Sequence, residues 1–162
     1  MLDSLQKRWI SSGLEEGDTV LIHSNIKRTL AEYRRNKINT RSEDILSSFL
    51  DVLGRKGTLL LPLFNFDFTK GVPFDIRSSK SMMGALTEIG RNYPNAVRTG
   101  HPIYSFVAIG YKSSEFSSVD NKSGYAEDSP FGILKRLGGK IGSLDLEDQN
   151  SITFYHHVEE VK

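Results

Sequence analysis

The chain contains no cysteine. That removes disulfides, thiolate-held metals and a cysteine nucleophile together, and it fits a reducing compartment. Nor does one sign of charge dominate: 21 Lys plus Arg stand against 20 Asp plus Glu. No global field therefore draws the protein to nucleic acid or to an acidic membrane, and any anion has to be met locally. Apolar runs of signal-peptide or membrane-span length are missing, and the opening Met1-Leu-Asp-Ser-Leu-Gln-Lys-Arg-Trp9 is charged within its first residues. Internal repeats, linkers and low-complexity tracts are absent too. What remains, at 162 residues, is one domain with a sizeable core, expected to be cytoplasmic and to use neither nucleic acid nor membrane as a partner.

Within that domain, apolar spacing alternates between two kinds of segment. Leu2, Leu5, Trp9 and Ile10, stopped by Gly13, predict a short amphipathic helix. Residues 19–23 read as a buried strand, and residues 58–64 as a second whose ladder ends at Pro62. Between them Thr40 and Glu43 have capping-box spacing ahead of a helix through Ile45, Leu46, Phe49, Leu50 and Leu53, stopped at Gly54. A long loop over 65–79 follows, of a length more often functional than connective. Ser81 is placed to cap a helix through Met82, Leu86 and Ile89, and residues 103–109 predict a third strand. Ser129-Pro130 before Phe131, Ile133, Leu134 and Leu137, with Gly138-Gly139 after them, has a cap, a first-turn proline and a glycine stop. Residues 140–146 predict another strand, and a last helix is expected from near Asn150. Buried strands alternating with helices give an α/β fold with a mixed or mostly parallel sheet covered by helices on both faces, a three-layer αβα domain over residues 1–162.

Chemistry concentrates in a few places. The closing Thr153-Phe-Tyr-His156-His157-Val-Glu159-Glu160 holds two of only four histidines. On a helix, His156 and Glu159 share a face, and a carboxylate beside an imidazole orients a general base. On the pattern alone, two surface histidines near ordinary helical acids are favoured; a half-complete metal site, and with it a metal-dependent hydrolase using His156, His157, Glu159 or His101, is the third reading. His23-Ser24-Asn25 ends the first strand, where α/β folds place ligands, or it is a turn of small polar residues. Arg98-Thr-Gly-His101-Pro102 with Ser105 combines a cation, an imidazole and hydroxyls, although His101 also suits a satisfied core position. Asn65, Asp67 and Asp75 in the long loop could hold a polar substrate or simply make turns. The basic run Lys27, Arg28, Arg34, Arg35 and Lys37 reads as a solvated face.

Taken in order, these segments resemble the aminoglycoside 3-N-acetyltransferase family of antibiotic N-acetyltransferases. The resembling pieces are Gly17-Asp-Thr-Val-Leu-Ile-His-Ser24, Gly57-Thr-Leu-Leu-Leu-Pro-Leu-Phe64, Met83-Gly-Ala-Leu-Thr-Glu88, Arg98-Thr-Gly-His-Pro102 with Ser105, Asp128-Ser-Pro-Phe131 and Thr153-Phe-Tyr-His-His-Val-Glu159. The resemblance implies transfer of an acyl group, usually acetyl, from coenzyme A to a primary amine of a sugar. His156 falls on the catalytic histidine and Glu159 on the acid after it; Ser24, Asn25 and Ile26 fall on the coenzyme segment, with Arg98, His101 and Ser105 as further coenzyme contacts. Family members often carry a second serine where Asn25 stands. Acetyl-CoA is then the co-substrate and no metal is expected. Asn65, Asp67, Glu88 and Asp128 are the acids and amide assigned to the acceptor.

A thioester is already activated, so a histidine base without a covalent nucleophile suffices. The segments 65–75 and 148–156 are closer to members acting on amino sugars for surface polysaccharides, which makes a nucleotide-linked amino sugar the favoured acceptor and an aminoglycoside the alternative. Members normally continue well past this histidine, so the resemblance also implies that the chain is incomplete at its carboxyl end, as a fragment, a truncated gene product or a form completed by another subunit. A catalytically inactive fragment that still binds coenzyme A or a partner is a separate competing reading. Homo-oligomerisation stays open.

Overall fold

A computed structural model describes residues 2–146 and 152–162 of the chain, and side chains from residue 4 onward. Helix α1 (Leu2–Ser11) leads into strand β1 (Thr19–Ser24), helix α2 (Lys27–Arg35), helix α3 (Ser42–Leu53) and strand β2 (Thr58–Pro62). Then come helix α4 (Ala85–Arg91), strands β3 (Val97–Arg98) and β4 (Phe106–Gly110), helix α5 (Pro130–Arg136), strand β5 (Lys140–Leu144) and helix α6 (Phe154–Glu160). The strands form one five-stranded sheet in the order β3-β4-β2-β1-β5. β1 lies parallel to β2 and β5, whereas β4 runs antiparallel to both β2 and β3, so the sheet is mixed as the α/β reading expects.

Period-2 alternation along the strands sends side chains to two separate cores. Val20, Ile22, Leu59, Leu61, Val107 and Ile109 meet Leu5, Trp9, Ile45, Leu46, Phe49 and Leu86 on one face. Leu21, Leu60, Phe106 and Ala108 meet Phe131, Ile133, Leu134 and Phe154 on the other. Both faces are therefore covered by helices, giving three layers. In the first core the Trp9 and Phe49 rings stack at 4.4 Å between centroids, and Trp9 Nε1–H donates to the buried Ser48 hydroxyl at 2.7 Å. Burying side chains of this size contributes roughly 1.5–3 kcal/mol each, so these layers carry most of the fold.

Several local expectations shift. The charged stretch after β1 is helical: α2 buries only Thr29 and Tyr33, one turn apart, beside the half-buried Leu30, too narrow an apolar stripe to stand out among Lys27, Arg28, Arg34 and Arg35. At α3 the reciprocal contact sits one residue later than the Thr40–Glu43 spacing suggests, with the Arg41 backbone N–H donating to the Asp44 carboxylate at 2.8 Å. Ser81 does not cap α4, whose N-cap is Gly84; instead its hydroxyl accepts from the Met83 N–H at 3.0 Å. The third expected strand begins at Phe106, because Ile103 and Tyr104 turn their N–H groups onto His101. The start of α5 follows expectation, with Ser129 Oγ accepting from the Gly132 N–H at 3.4 Å. The expected beginning of the last helix at Asn150 lies outside the described residues; within them α6 starts at Phe154. Among the described residues no helix is long and apolar enough to cross a membrane.

Candidate active site

β1 and β2 both end at one rim of the sheet, and a cleft of about 590 Å³ opens there, lined by His23, Ser24, Asn25, Ile26, Phe64 and Thr153 among others. It lies just beyond the carboxyl ends of parallel strands, where an α/β sheet leaves a crevice because successive connections part. Ser24, Asn25 and Ile26, the expected coenzyme segment, all face it. The Asn25 backbone N–H is held by the Leu144 carbonyl at 2.8 Å, which ties this rim to the end of β5.

His23 ends the buried part of β1 with only 5 % of its surface exposed. Burial pulls its pKa down to about 4, so the imidazole is neutral near pH 7. Its Nε2 has no hydrogen-bond partner among the described residues, and neither does Thr153 Oγ1, on the wall of the same cleft. An unsatisfied buried polar group costs roughly 1–3 kcal/mol, so both positions sacrifice stability as they stand.

α6 carries the histidine pair, and the two rings do different things. His156 Nδ1 lies 3.3 Å from Glu159 Oε2, one turn on, with 58 % and 72 % of the two side chains exposed. The carboxylate can only accept, so Nδ1–H donates to it, and in the neutral ring Nε2 then keeps its lone pair, the tautomer a proton acceptor needs. At such exposure the contact orients the ring and adds little stability. His157 is fully buried, donates Nδ1–H to the Tyr125 carbonyl at 2.6 Å, and packs against Phe131 and Phe154. It anchors α6. The two histidines therefore diverge, and among the described residues no group of three or more His, Cys, Asp or Glu is placed to share a metal ion.

His156 faces a second, shallower cleft with Tyr104, Tyr125, Glu159 and Glu160. The Tyr125 ring sits 5.1 Å from His156 and 4.8 Å from Tyr104. Burial and the Tyr104 hydroxyl hold the Tyr125 phenol well above its ordinary pKa, so it remains a protonated donor. Tyr104 in turn meets Phe64 at 5.2 Å and Phe66 at 6.3 Å, both on the wall of the larger cleft. An aromatic wall thus links the two clefts, and neither tyrosine has a local sequence pattern that would have singled it out.

The remaining expected residues lie elsewhere. Arg98 donates from Nη1 to the carbonyls of Ile76 at 3.1 Å and Ser79 at 2.6 Å, and from Nε and Nη2 to Ser105 Oγ at 3.3 and 3.2 Å, pinning the long loop to β3. Burial and the nearby Arg91 lower its pKa to about 10, which leaves it charged at neutral pH. His101 is buried, accepts at Nδ1 from the Ile103 and Tyr104 N–H groups at 3.2 and 2.9 Å, and is held neutral by burial against the opposing pull of the Lys122 carbonyl. Arg98, His101 and Ser105 are not among the residues lining the large cleft. Asn65 and Asp67 line a separate cleft of about 260 Å³ under the long loop. Glu88 is clasped by Arg91 through two bonds at 2.8 and 3.0 Å; burial raises its pKa, and the Arg91 and Ser81 contacts outweigh that and bring it below the ordinary value. Asp128 is exposed beside the α5 cap. The structure thus gathers Ser24, Asn25 and Ile26 at one cleft and His156 and Glu159 at its neighbour, and disperses the other candidates.

A three-layer αβα domain with a rim cleft and an imidazole–carboxylate pair on an adjoining helix is suited to moving a proton beside a bound ligand. The chain belongs to the aminoglycoside 3-N-acetyltransferase family, whose model matches residues 21–162. It is 28% identical over 166 residues to the SPbeta prophage-derived aminoglycoside N(3')-acetyltransferase-like protein YokD of Bacillus subtilis, covering 88% of this chain and 59% of that one. It is 27% identical over 169 residues to aminoglycoside N(3)-acetyltransferase VII of Streptomyces paromomycinus, covering 91% and 56%. Among solved structures, that of AAC-IIIb binary with CoASH superposes with a TM-score of 0.84 at 27% identity, over 99% of this chain and 65% of that one. The chain therefore spans somewhat more than half the length of these curated relatives.

Proposed function

We propose that this chain carries acetyl-CoA-dependent N-acetyltransferase chemistry, moving an acetyl group from the coenzyme thioester to a primary amine of an aminoglycoside. The observation that carries the reading is the His156–Glu159 contact at 3.3 Å on α6, which leaves Nε2 as acceptor beside a cleft joined by aromatic rings to the β1–β2 rim. The rim cleft, with Ser24, Asn25 and Ile26 on its wall, would receive the acyl end of the coenzyme. The cleft beside it, lined by Glu159 and Glu160, complements a cationic amine.

In this reading the acceptor amine attacks the thioester carbon in its uncharged form, and His156 Nε2 takes one of its protons as the C–N bond forms. The carbonyl π pair moves to oxygen, the tetrahedral intermediate collapses with loss of the C–S bond, and His156 returns the proton to the departing thiolate. The products are an amide and free coenzyme A. The relatives' names favour an aminoglycoside acceptor over a nucleotide-linked amino sugar.

Thiol release from acetyl-CoA tests it directly, with the aminoglycosides sisomicin and gentamicin in one series and nucleotide-linked amino sugars in the other. Release in the first series supports the proposal, release in the second alone transfers the acceptor to the nucleotide-linked class, and release in neither removes the activity from this chain.

A further inference from the structure

The transfer step develops negative charge on the thioester oxygen, and a donor preorganised there is the largest single lever an enzyme has on such a step. Three features converge on His23. β1 carries it to the carboxyl end of the sheet, on the wall of the large cleft. Period-2 alternation puts it on the face of Leu21, the face that α5 and α6 cover, so it shares a side of the sheet with the helix that bears His156. Its Nε2 is shut away from solvent yet bonded to none of the described residues. His157 Nε2 is likewise buried without a partner among the described residues, but His157 does not line the cleft, so His23 is the histidine whose free nitrogen belongs to a residue on the cleft wall.

The geometry points to His23 as a hydrogen-bond donor, through Nε2–H, to the carbonyl oxygen of the bound thioester. This assignment rests on the acetyltransferase reading and adds to it the group that stabilises the oxyanion. The two histidines then divide the work. His156, solvent-facing and paired with Glu159, accepts and returns the proton; His23, buried and uncharged, keeps its own proton throughout and lends only the N–H dipole. A neutral imidazole suits that task because it brings no charge that has to be desolvated before the substrate arrives. Thr153 Oγ1, also unpartnered on the same cleft, is placed to accept from the same ligand or to donate to it.

The test compares His23→Met, which keeps bulk and removes the donor, with His23→Gln, whose amide N–H reaches close to the position of Nε2. Steady-state thiol release should fall about 100-fold in kcat for His23→Met, the loss typical of one oxyanion donor, with KM for acetyl-CoA and the shape of the pH profile preserved. His23→Gln should recover part of that loss. Calorimetry with free coenzyme A, which has no acyl oxygen, should give the wild-type affinity for both variants. Thermal unfolding of His23→Met should occur no lower than in the wild type, because an unpartnered polar atom is being removed. Wild-type turnover in His23→Met, equal impairment of the two variants, or loss of coenzyme affinity or stability in His23→Met would each overturn the assignment while leaving the transferase reading in place. A wild-type chain that neither binds coenzyme A nor releases thiol overturns the transferase reading, and this assignment with it.

Discussion

The Thr29 backbone N–H donates to the Asp145 carboxylate at 2.7 Å, joining the first turn of α2 to the residue after β5 across 116 positions of sequence. The carboxylate meets an amino-terminal N–H of the helix, where the macrodipole favours negative charge. Asp145 holds φ at +58°, a left-handed conformation that Asp and Asn tolerate better than most residues. Together with the Asn25–Leu144 bond, this contact sets the rim on which Ser24, Asn25 and Ile26 sit. Asp145→Ala should lower stability by roughly 0.5–2 kcal/mol, as loss of a helix cap does, and weaken coenzyme A binding, whereas Asp145→Asn should retain most of both. Chemical denaturation and calorimetry read the two effects; equal behaviour of the two variants would count against the cap.

His156→Ala should cost about 10²–10⁴-fold in turnover, the usual contribution of a general base, and leave coenzyme A affinity near wild type. Glu159→Gln should cost less, because an amide oxygen still accepts from Nδ1–H and so preserves the tautomer. Thiol release beside calorimetry separates these outcomes, and a His156→Ala variant that turns over normally would remove His156 as the base.

His157 and Tyr125 make a prediction about mechanical support. His157→Leu leaves the Tyr125 carbonyl without its buried donor and should destabilise the protein by roughly 1–3 kcal/mol, with turnover falling as α6 loses its anchor. His157→Asn, which offers an N–H near the position of Nδ1, should recover part of the stability. Urea unfolding gives the first quantity and thiol release the second.

Arg98 closes the long loop with a planar fork that lysine cannot reproduce, and its guanidinium lies 5.0 Å from the Phe74 ring centroid. Arg98→Lys should therefore release residues 74–80 and speed their cleavage in limited proteolysis, with the rest of the domain resistant. Unchanged cleavage would show that other contacts hold the loop.

Stability should fall as pH drops from about 6.5 towards 4. The His23 pKa is depressed from 6.5 to about 4 by burial, so the unfolded chain takes up a proton that the folded one refuses. The unfolded state binds more protons across that window, and folding stability decreases as acid is added, reaching its full loss below the folded pKa. The difference corresponds to on the order of 3 kcal/mol. His101, lowered chiefly by burial, acts in the same direction. A Tm series over this range should show the decline, and His23→Met should flatten it; parallel curves would assign the acid sensitivity to other groups.

Much of the scaffold was legible because it depends on short-range patterns. Continuous apolar runs in β1 and β2, the Ser129-Pro130 start of α5 and the one-turn spacing of His156 and Glu159 are each set by neighbours a few residues apart, and period and cap chemistry reveal them. α2 was not legible, since its apolar stripe is narrow and an N–H of its first turn is met by Asp145, more than a hundred residues away. Nor was the difference between the adjacent His156 and His157, because only the packing of α6 on Tyr125, Phe131 and Phe154 exposes one ring and buries the other.

By itself, then, the amino-acid sequence determined the alternation of buried strands and amphipathic helices, and with it the αβα layering and the family. The tertiary structure alone decided which polar residues are free to meet a ligand. Arg98, His101 and Glu88 look as reactive in sequence as His23 does, but the fold supplies them with partners. It withholds one from His23 Nε2, because hydrogen bonds are made between groups that chain folding, and not chain order, brings together.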